Sequence, residues 1–318
     1  MRLWFRPATP ADVPAMCTVI DAAYAPQVRR LYGDSPRGRW QPFDPERLHL
    51  YLRREPDGVR VGIWQNRLVT VCVCRRHGSL GWFHSLAVHP DVQGRGFGAQ
   101  VVQDAEAYLS GHGVRSIGLM TWPEAVSNIG FYHKLGFRAV GLSLYGYRST
   151  WGPVVPGSLA AEGMQTAFFS HLSAAERRRA LNAAAAIGDA LLPGLDYSGW
   201  LEWTVTQQLG DGLLAWDGDR PLALALASIR PENDWLEGRL LLMVPGITPT
   251  QAALFLEHVR RWALARRLGH FGFPADIMQP MAVELFGRLG FRLYGDTMLN
   301  LARGPWPMAG VHAVRLGG

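Results

Sequence analysis

The chain has 318 residues, which at roughly 150 per domain predicts two domains, each able to bury its own core. With 48% hydrophobic and 18% charged residues it reads as a soluble globular protein, and this excludes a disordered chain or a small disulfide scaffold. The 32 basic and 26 acidic residues leave +6, but Lys134 is the one lysine, so the arginine excess reads as codon bias rather than a nucleic-acid surface.

The opening Met-Arg-Leu-Trp-Phe-Arg-Pro lacks the apolar stretch of a signal peptide, and no run approaches the roughly 18 to 20 apolar residues of a membrane span. A cytoplasmic location is therefore expected, without membrane partners and with Cys17, Cys72 and Cys74 as reduced thiols. Thr9-Pro-Ala-Asp12 before an apolar run predicts a capped helix. Val59 to Trp64 and Leu68 to Cys74 are β-rich runs joined at Gln65-Asn66-Arg67, which puts Cys72 and Cys74 on one face. After a turn at His77-Gly78-Ser79 comes a strand from Gly81 to Val88. Next are a helix from Gly98 to Ser110, a strand from Ser116 to Thr121, a helix from about Ala125 to Leu135, and a final strand. Trp151-Gly-Pro-Val-Val-Pro-Gly-Ser158 reads as a linker.

Beyond it the order repeats. Ser173-Ala-Ala-Glu176 is a capping box. Leu213 to Trp216, Leu222 to Ile229 and Trp235 to Val244 read as strands. Thr250 to Arg267 and Met278 to Leu289 read as helices, with a strand from His270 to Phe273 between them. Leu135-Gly-Phe-Arg138 recurs as Leu289-Gly-Phe-Arg292 after 154 residues. Two tandem copies of one mixed α/β unit are expected, at 1–150 and 164–318, with a linker at 151–163. Residues 1–152 carry 18 basic and 11 acidic residues, or +7, and 153–318 carry 14 and 15, or −1. A polyanionic ligand would therefore meet the first copy.

Chemistry concentrates in Leu86-Ala-Val-His-Pro-Asp-Val-Gln-Gly-Arg-Gly-Phe-Gly98. A strand ends, a glycine-rich loop follows and a helix begins, so exposed N–H groups create an anion site; the plainer alternative is a turn. No Gly-Lys-Ser/Thr is present, and Gly94, Gly96 and Gly98 lack dinucleotide spacing. With Gln93, Gly96 and Gly98 in place, the loop resembles the pyrophosphate loop Gln/Arg-x-x-Gly-x-Gly/Ala of the GCN5-related N-acetyltransferase (GNAT) family. Leu86-Ala-Val-His-Pro90 before it and Ser127-Asn-Ile-Gly-Phe-Tyr-His-Lys-Leu-Gly-Phe137 after it are similar to that family's fourth strand and second motif.

The resemblance implies a mostly antiparallel twisted sheet flanked by helices, splayed between its fourth and fifth strands. It implies acetyl-CoA as cosubstrate, with the pantetheine arm on the backbone of Leu86, Ala87 and Val88. The pyrophosphate would rest on Gly94, Arg95, Gly96, Phe97, Gly98 and Ala99, with Arg95 as an added cation. Asn128 would steady the arm, although it stands four residues before Tyr132 and many relatives have it seven before, at the place of Ala125. Tyr132 matches the tyrosine that protonates the departing thiolate; its plainer role is packing beside Phe131 and Phe137. Trp82 and Met120 occupy places where many relatives carry a glutamate base. His84 resembles the histidine of arylalkylamine acetyltransferases, with a structural histidine as the alternative. His89, His133 and Glu124 are weaker candidates. The acceptor site falls in Tyr24 to Trp40, with Tyr24, Arg29, Tyr32 and Trp40 as candidates, or this is a solvated basic loop.

In the second copy Phe286 stands opposite Tyr132, and Val244-Pro-Gly-Ile-Thr-Pro-Thr-Gln251 replaces the loop with two prolines that lack N–H groups. It reads as a degenerate copy without a cofactor site. The function expected is transfer of an acetyl or short acyl group to a primary amine on a small molecule or peptide, by a monomer or homodimer, with no metal. A non-catalytic acyl-CoA-binding protein is the alternative, and no helix-turn-helix, zinc or stacking motif supports nucleic-acid binding.

Overall fold

A computed structural model describes residues 1–35, 39–152, 164–230, 233–308 and 310–314. Most of the expected linker, 153–163, lies outside the described residues. The first half runs β1 (Trp4–Pro7), α1 (Val13–Tyr32), α2 (Pro45–Arg54), β2 (Val59–Trp64), β3 (Arg67–His77), β4 (Leu80–Val88), α3 (Phe97–Gly111), β5 (Ser116–Thr121), α4 (Val126–Lys134) and β6 (Arg138–Ser149). The second runs β7 (Met164–Phe168), α5 (Ala174–Leu191), α6 (Ser198–Thr206), β8 (Asp211–Asp217), β9 (Arg220–Arg230), β10 (Trp235–Met243), α7 (Pro249–Ala265), β11 (His270–Asp276), α8 (Pro280–Arg288), β12 (Arg292–Arg303) and β13 (Val311–Val314).

Local chemistry accounts for several boundaries. Gln65 and Asn66 both take positive φ, 49° and 59°, as the tight turn joining β2 to β3 requires. Reciprocal capping boxes at Thr9/Asp12 and Ser173/Glu176 start the first helical segment of each half. Strand β3 shows the period of two. Val71 and Val73 pack into the core under α1 and α2, while Cys72 and Cys74 pack into the core under α3. All three cysteines are free thiols.

The two halves share one sheet, ordered β1-β2-β3-β4-β5-β12-β6-β11-β10-β9-β8-β7, with β13 on β10. Each half gives its long final strand to the other. β6 lies between β12 and β11, and β12 lies between β5 and β6. A second junction lies at the β3–β4 turn. Ser79 donates from its N–H to Gly194 O at 2.7 Å and from its hydroxyl to Pro193 O at 2.7 Å. Gly78 sits here at φ +62°, and a Cβ would run into the Gly194 carbonyl, so a side chain fits neither the backbone nor the space. The largest hydrophobic core takes in Leu80 and Trp82 of β4 together with the second half. These halves are parts of one folded body.

The two halves differ where parallel strands part. β4 pairs with β5 only from Leu80 to Trp82, against Ser116 to Gly118. β10 likewise pairs with β11 only from Trp235 to Glu237, against His270 to Gly272. In the second half β13 then fills the gap, pairing with Leu240 to Met243. In the first half the gap opens into a cavity lined by Leu86 and Val88.

Candidate active site

The cavity measures about 1880 Å³ and runs from the glycine loop, through the β4/β5 gap, to walls supplied by the second half. A bulge shapes its centre. The β3–β4 register jumps from Val71↔Ala87 to Val73↔His84, and Ser85 takes φ +50°. Leu86 thus has no partner in that register, and its carbonyl accepts from the Tyr24 hydroxyl at 3.2 Å. Gln93 Nε2 donates to Val88 O at 2.8 Å, which ties the loop to the strand end.

Gly94 and Gly96 have φ +75° and +78°, and nothing lies within 4 Å of where a Cβ would stand. Conformation rather than crowding requires glycine at these two places. Gly96 is the left-handed N-cap of α3, so the first-turn N–H groups at Phe97, Gly98 and Ala99 lack intrahelical acceptors. Gln93, Gly94, Gly96, Phe97, Gly98 and Ala99 all line the cavity. The Arg95 side chain lies elsewhere: its guanidinium sits 5.0 Å over the Trp64 ring and reaches Met1 Sδ.

Tyr132 lines the middle of the cavity and is buried against Phe131, Phe83 and Phe137, with centroids 5.0, 6.1 and 6.0 Å away. Burial, then the neighbouring Tyr24 and Cys72, raise its pKa, so the phenol keeps its proton at neutral pH. Asn128 lines the same region, with Nδ2 3.5 Å from Thr121 Oγ1, and Ala125 lies beside it.

His84 lines the cavity on β4, half-buried, with Nδ1 3.1 Å from Ser85 Oγ and its ring edge-on to Tyr51 at 5.0 Å. Burial and the charges of Arg75, Arg47 and Arg54 hold its pKa well below the ordinary value. At pH 7 the imidazole is neutral and retains a lone pair. Trp82, Met120 and Glu124 also line the cavity.

Of the acceptor candidates, Tyr24 and Trp40 stack on one another at 5.5 Å and line the wall, with Trp122 edge-on to Tyr24 at 6.0 Å. Asp21 fixes Trp40 through Nε1 at 2.8 Å. Arg29 and Tyr32 are not among the lining residues; Arg29 lies 3.7 Å from Asp34 on the surface. Sequence reasoning missed the opposite wall, where Arg230, Trp235, Glu237, Pro274 and Met298 of the second half line the cavity. The β4/β10 correspondence places Glu237 at the counterpart of Trp82, and the repeated pattern offered that signal.

Residues 25–137 match a family model described as acetyltransferase (GNAT) family. No curated protein matches the chain. Among solved structures it is similar to a GCN5-related N-acetyltransferase from Sphaerobacter thermophilus, with TM-score 0.59, 16% identity and 95% of each chain covered. It is also similar to a tandem GNAT protein from the clavulanic acid biosynthesis pathway, with TM-score 0.55, 14% identity and 95% and 98% covered. A third, from Anabaena variabilis, has TM-score 0.60, 11% identity and 95% and 72% covered. At these identities the likeness is one of fold, and it extends over both halves.

Proposed function

The first half of this chain carries a domain of the acetyltransferase (GNAT) family, and from that premise we propose that the protein moves an acetyl or short acyl group from acetyl-CoA to a primary amine. The observation that carries this reading is the open β4/β5 gap, which joins a glycine loop of helix-start N–H groups to Tyr132 in one cavity. The counterpart gap in the second half is closed by the chain's own β13.

In this reading the pantetheine arm takes the place of an added strand beside Leu86 to Val88, and the Tyr24 hydroxyl yields the Leu86 carbonyl to it. The pyrophosphate accepts from N–H groups between Gly94 and Ala99 at the positive end of α3. The amine attacks the thioester carbonyl, forming the C–N bond, and the C–S bond breaks. Tyr132 gives its proton to the departing sulfur, and His84 accepts the amine proton directly or through water. The arginine charges that depress His84 also favour the neutral, nucleophilic form of a bound amine. One donor site per chain and a cytoplasmic monomer or homodimer complete the proposal. Thiol release from acetyl-CoA with a panel of amines tests it: amine-dependent release supports the enzyme, and donor binding without release under every amine would leave a non-catalytic acyl-CoA-binding protein.

A further inference from the structure

Ser85 is a residue of β4 that the acyl-transfer steps above leave unused. Among the described residues six non-glycines take positive φ, and five of them lie in turns. Ser85, at φ +50°, is the sixth and lies within a strand, where a residue with a side chain adopts this backbone only under strain. The strain has a visible result. Adjacent side chains of a regular strand point to opposite faces, yet the bulge turns Ser85 toward its neighbour, with Oγ 3.1 Å from His84 Nδ1. Both residues line the cavity.

Their place along the strand matters as much as their contact. β5 pairs with β4 as far as Trp82, and in the reading above the pantetheine arm runs from Val88 to Leu86. The thioester at the end of that arm therefore comes between Leu86 and Trp82, beside His84 and Ser85. With the imidazole proton on Nε2, Nδ1 presents its lone pair to the Ser85 hydroxyl, as a base does to its nucleophile. The Tyr51 ring packs edge-on against the imidazole at 5.0 Å. Burial, followed by the charges of Arg75, Arg47 and Arg54, keeps the ring neutral at pH 7 and able to accept a proton. Among the described residues no carboxylate bonds to His84, so the pair lacks the orienting acid of a triad and its turnover should be slow.

We propose that Ser85 is an acyl-accepting nucleophile, and that without an acceptor amine the protein hydrolyses acetyl-CoA through an acetyl-Ser85 ester. Ser85 Oγ attacks the thioester carbonyl, forming a C–O bond while the C–S bond breaks. The hydroxyl proton goes to His84 Nδ1 and the sulfur takes one from Tyr132; solvent then returns a proton to Tyr132 and removes the one on His84. Water next attacks the ester carbonyl. His84 Nδ1 takes its proton and returns it to Ser85 Oγ as the C–O bond to Ser85 breaks, and acetate and a proton leave. The sum is acetyl-CoA and water giving acetate, a proton and CoA. This inference rests on the donor site of the acyl-transfer reading and on no amine, so the two can fail separately.

Thiol release from acetyl-CoA without amine is followed at pH 7, and the protein is then quenched in acid and mapped by mass spectrometry for added acetyl groups. Background acetylation is easily recognised, because Lys134 is the one lysine and its amide survives hydroxylamine, whereas an ester on Ser85 is cleaved. Release should be about tenfold faster than with Ser85→Gly or His84→Gln, and a hydroxylamine-labile acetyl group should map to Ser85. Glycine suits φ +50°, so Ser85→Gly keeps the bulge, and melting curves verify that both variants fold. Release no faster than in protein-free buffer, release unaltered in Ser85→Gly, or no acetyl group on Ser85 would overturn the proposal. Amine-dependent release alongside any of these leaves the acyl-transfer reading standing. Acetyl-CoA that fails to bind in calorimetry would sink that reading as well.

Discussion

Replacing Tyr132 by Phe removes one hydroxyl and leaves the ring in place. The contacts that seat the side chain are aromatic, to Phe131 at 5.0 Å, Phe137 at 6.0 Å and Phe83 at 6.1 Å, and phenylalanine keeps them all. Thermal stability should therefore change by no more than about 1 kcal/mol. Donor affinity should stay within about twofold, because the loop and β4 backbone that hold acetyl-CoA are untouched. The loss falls on leaving-group protonation, where a positioned acid is worth about 10²- to 10⁴-fold. That range corresponds to roughly 3 to 5 kcal/mol of barrier. Single-turnover acyl transfer at saturating donor and acceptor is the appropriate assay, since it reads the chemical step even where product release limits kcat. A single-turnover rate within threefold of the unaltered protein would refute the assignment of the proton to Tyr132.

Three further outcomes follow from the geometry. Gly96→Val forces a β-branched residue to φ +78°, at a cost of about 1 to 3 kcal/mol, and should weaken acetyl-CoA binding about tenfold or more by calorimetry. Gly78→Ala should destabilise the whole chain in one cooperative transition by several kcal/mol, about 1 to 2 from the backbone and the rest from collision with Gly194; melting of the first half alone would contradict the shared fold. His77 and His312 are buried and His84 is half-buried, and desolvation is the first cause that lowers the pKa of each, that of His312 to about 3. Above about pH 6.5 both folded and unfolded states hold these rings neutral, but below it the unfolded state alone binds protons. Stability should thus fall as pH drops from about 6.5 toward 4, with a slope approaching 4 kcal/mol per unit for three protons, and denaturant midpoints flat across that window would exclude it.

Much of the local structure was legible. Val59–Trp64 and Ser116–Thr121 are strands at the expected bounds, because alternation and turn residues are local signals. The Leu-Gly-Phe-Arg phrase marks a true repeat, with Phe137 and Phe291 both buried at the start of the final strands. The strand exchange was not legible. After Gly136-Phe137 the sequence predicts a final strand, but not that its neighbours are β11 and β12, which follow more than a hundred residues later. β13 was also missed, since four residues, Val311–Val314, are too few for a periodic signal. The site reading had the same limit. Gly96, Tyr132 and His84 meet in one cavity, whereas the basic character of Arg29 and Arg95 could not foretell where those flexible side chains would rest. The Arg230, Trp235 and Glu237 wall depends on the exchanged sheet and so required the fold.

The central claim is that one half holds the donor while the other closes its own groove. Titrating the intact chain with acetyl-CoA by calorimetry, alongside Gly96→Val, addresses it most directly. The account predicts one site per chain, and that site weakens in the variant. Two equivalent sites, or a single site of unaltered affinity in Gly96→Val, would contradict it.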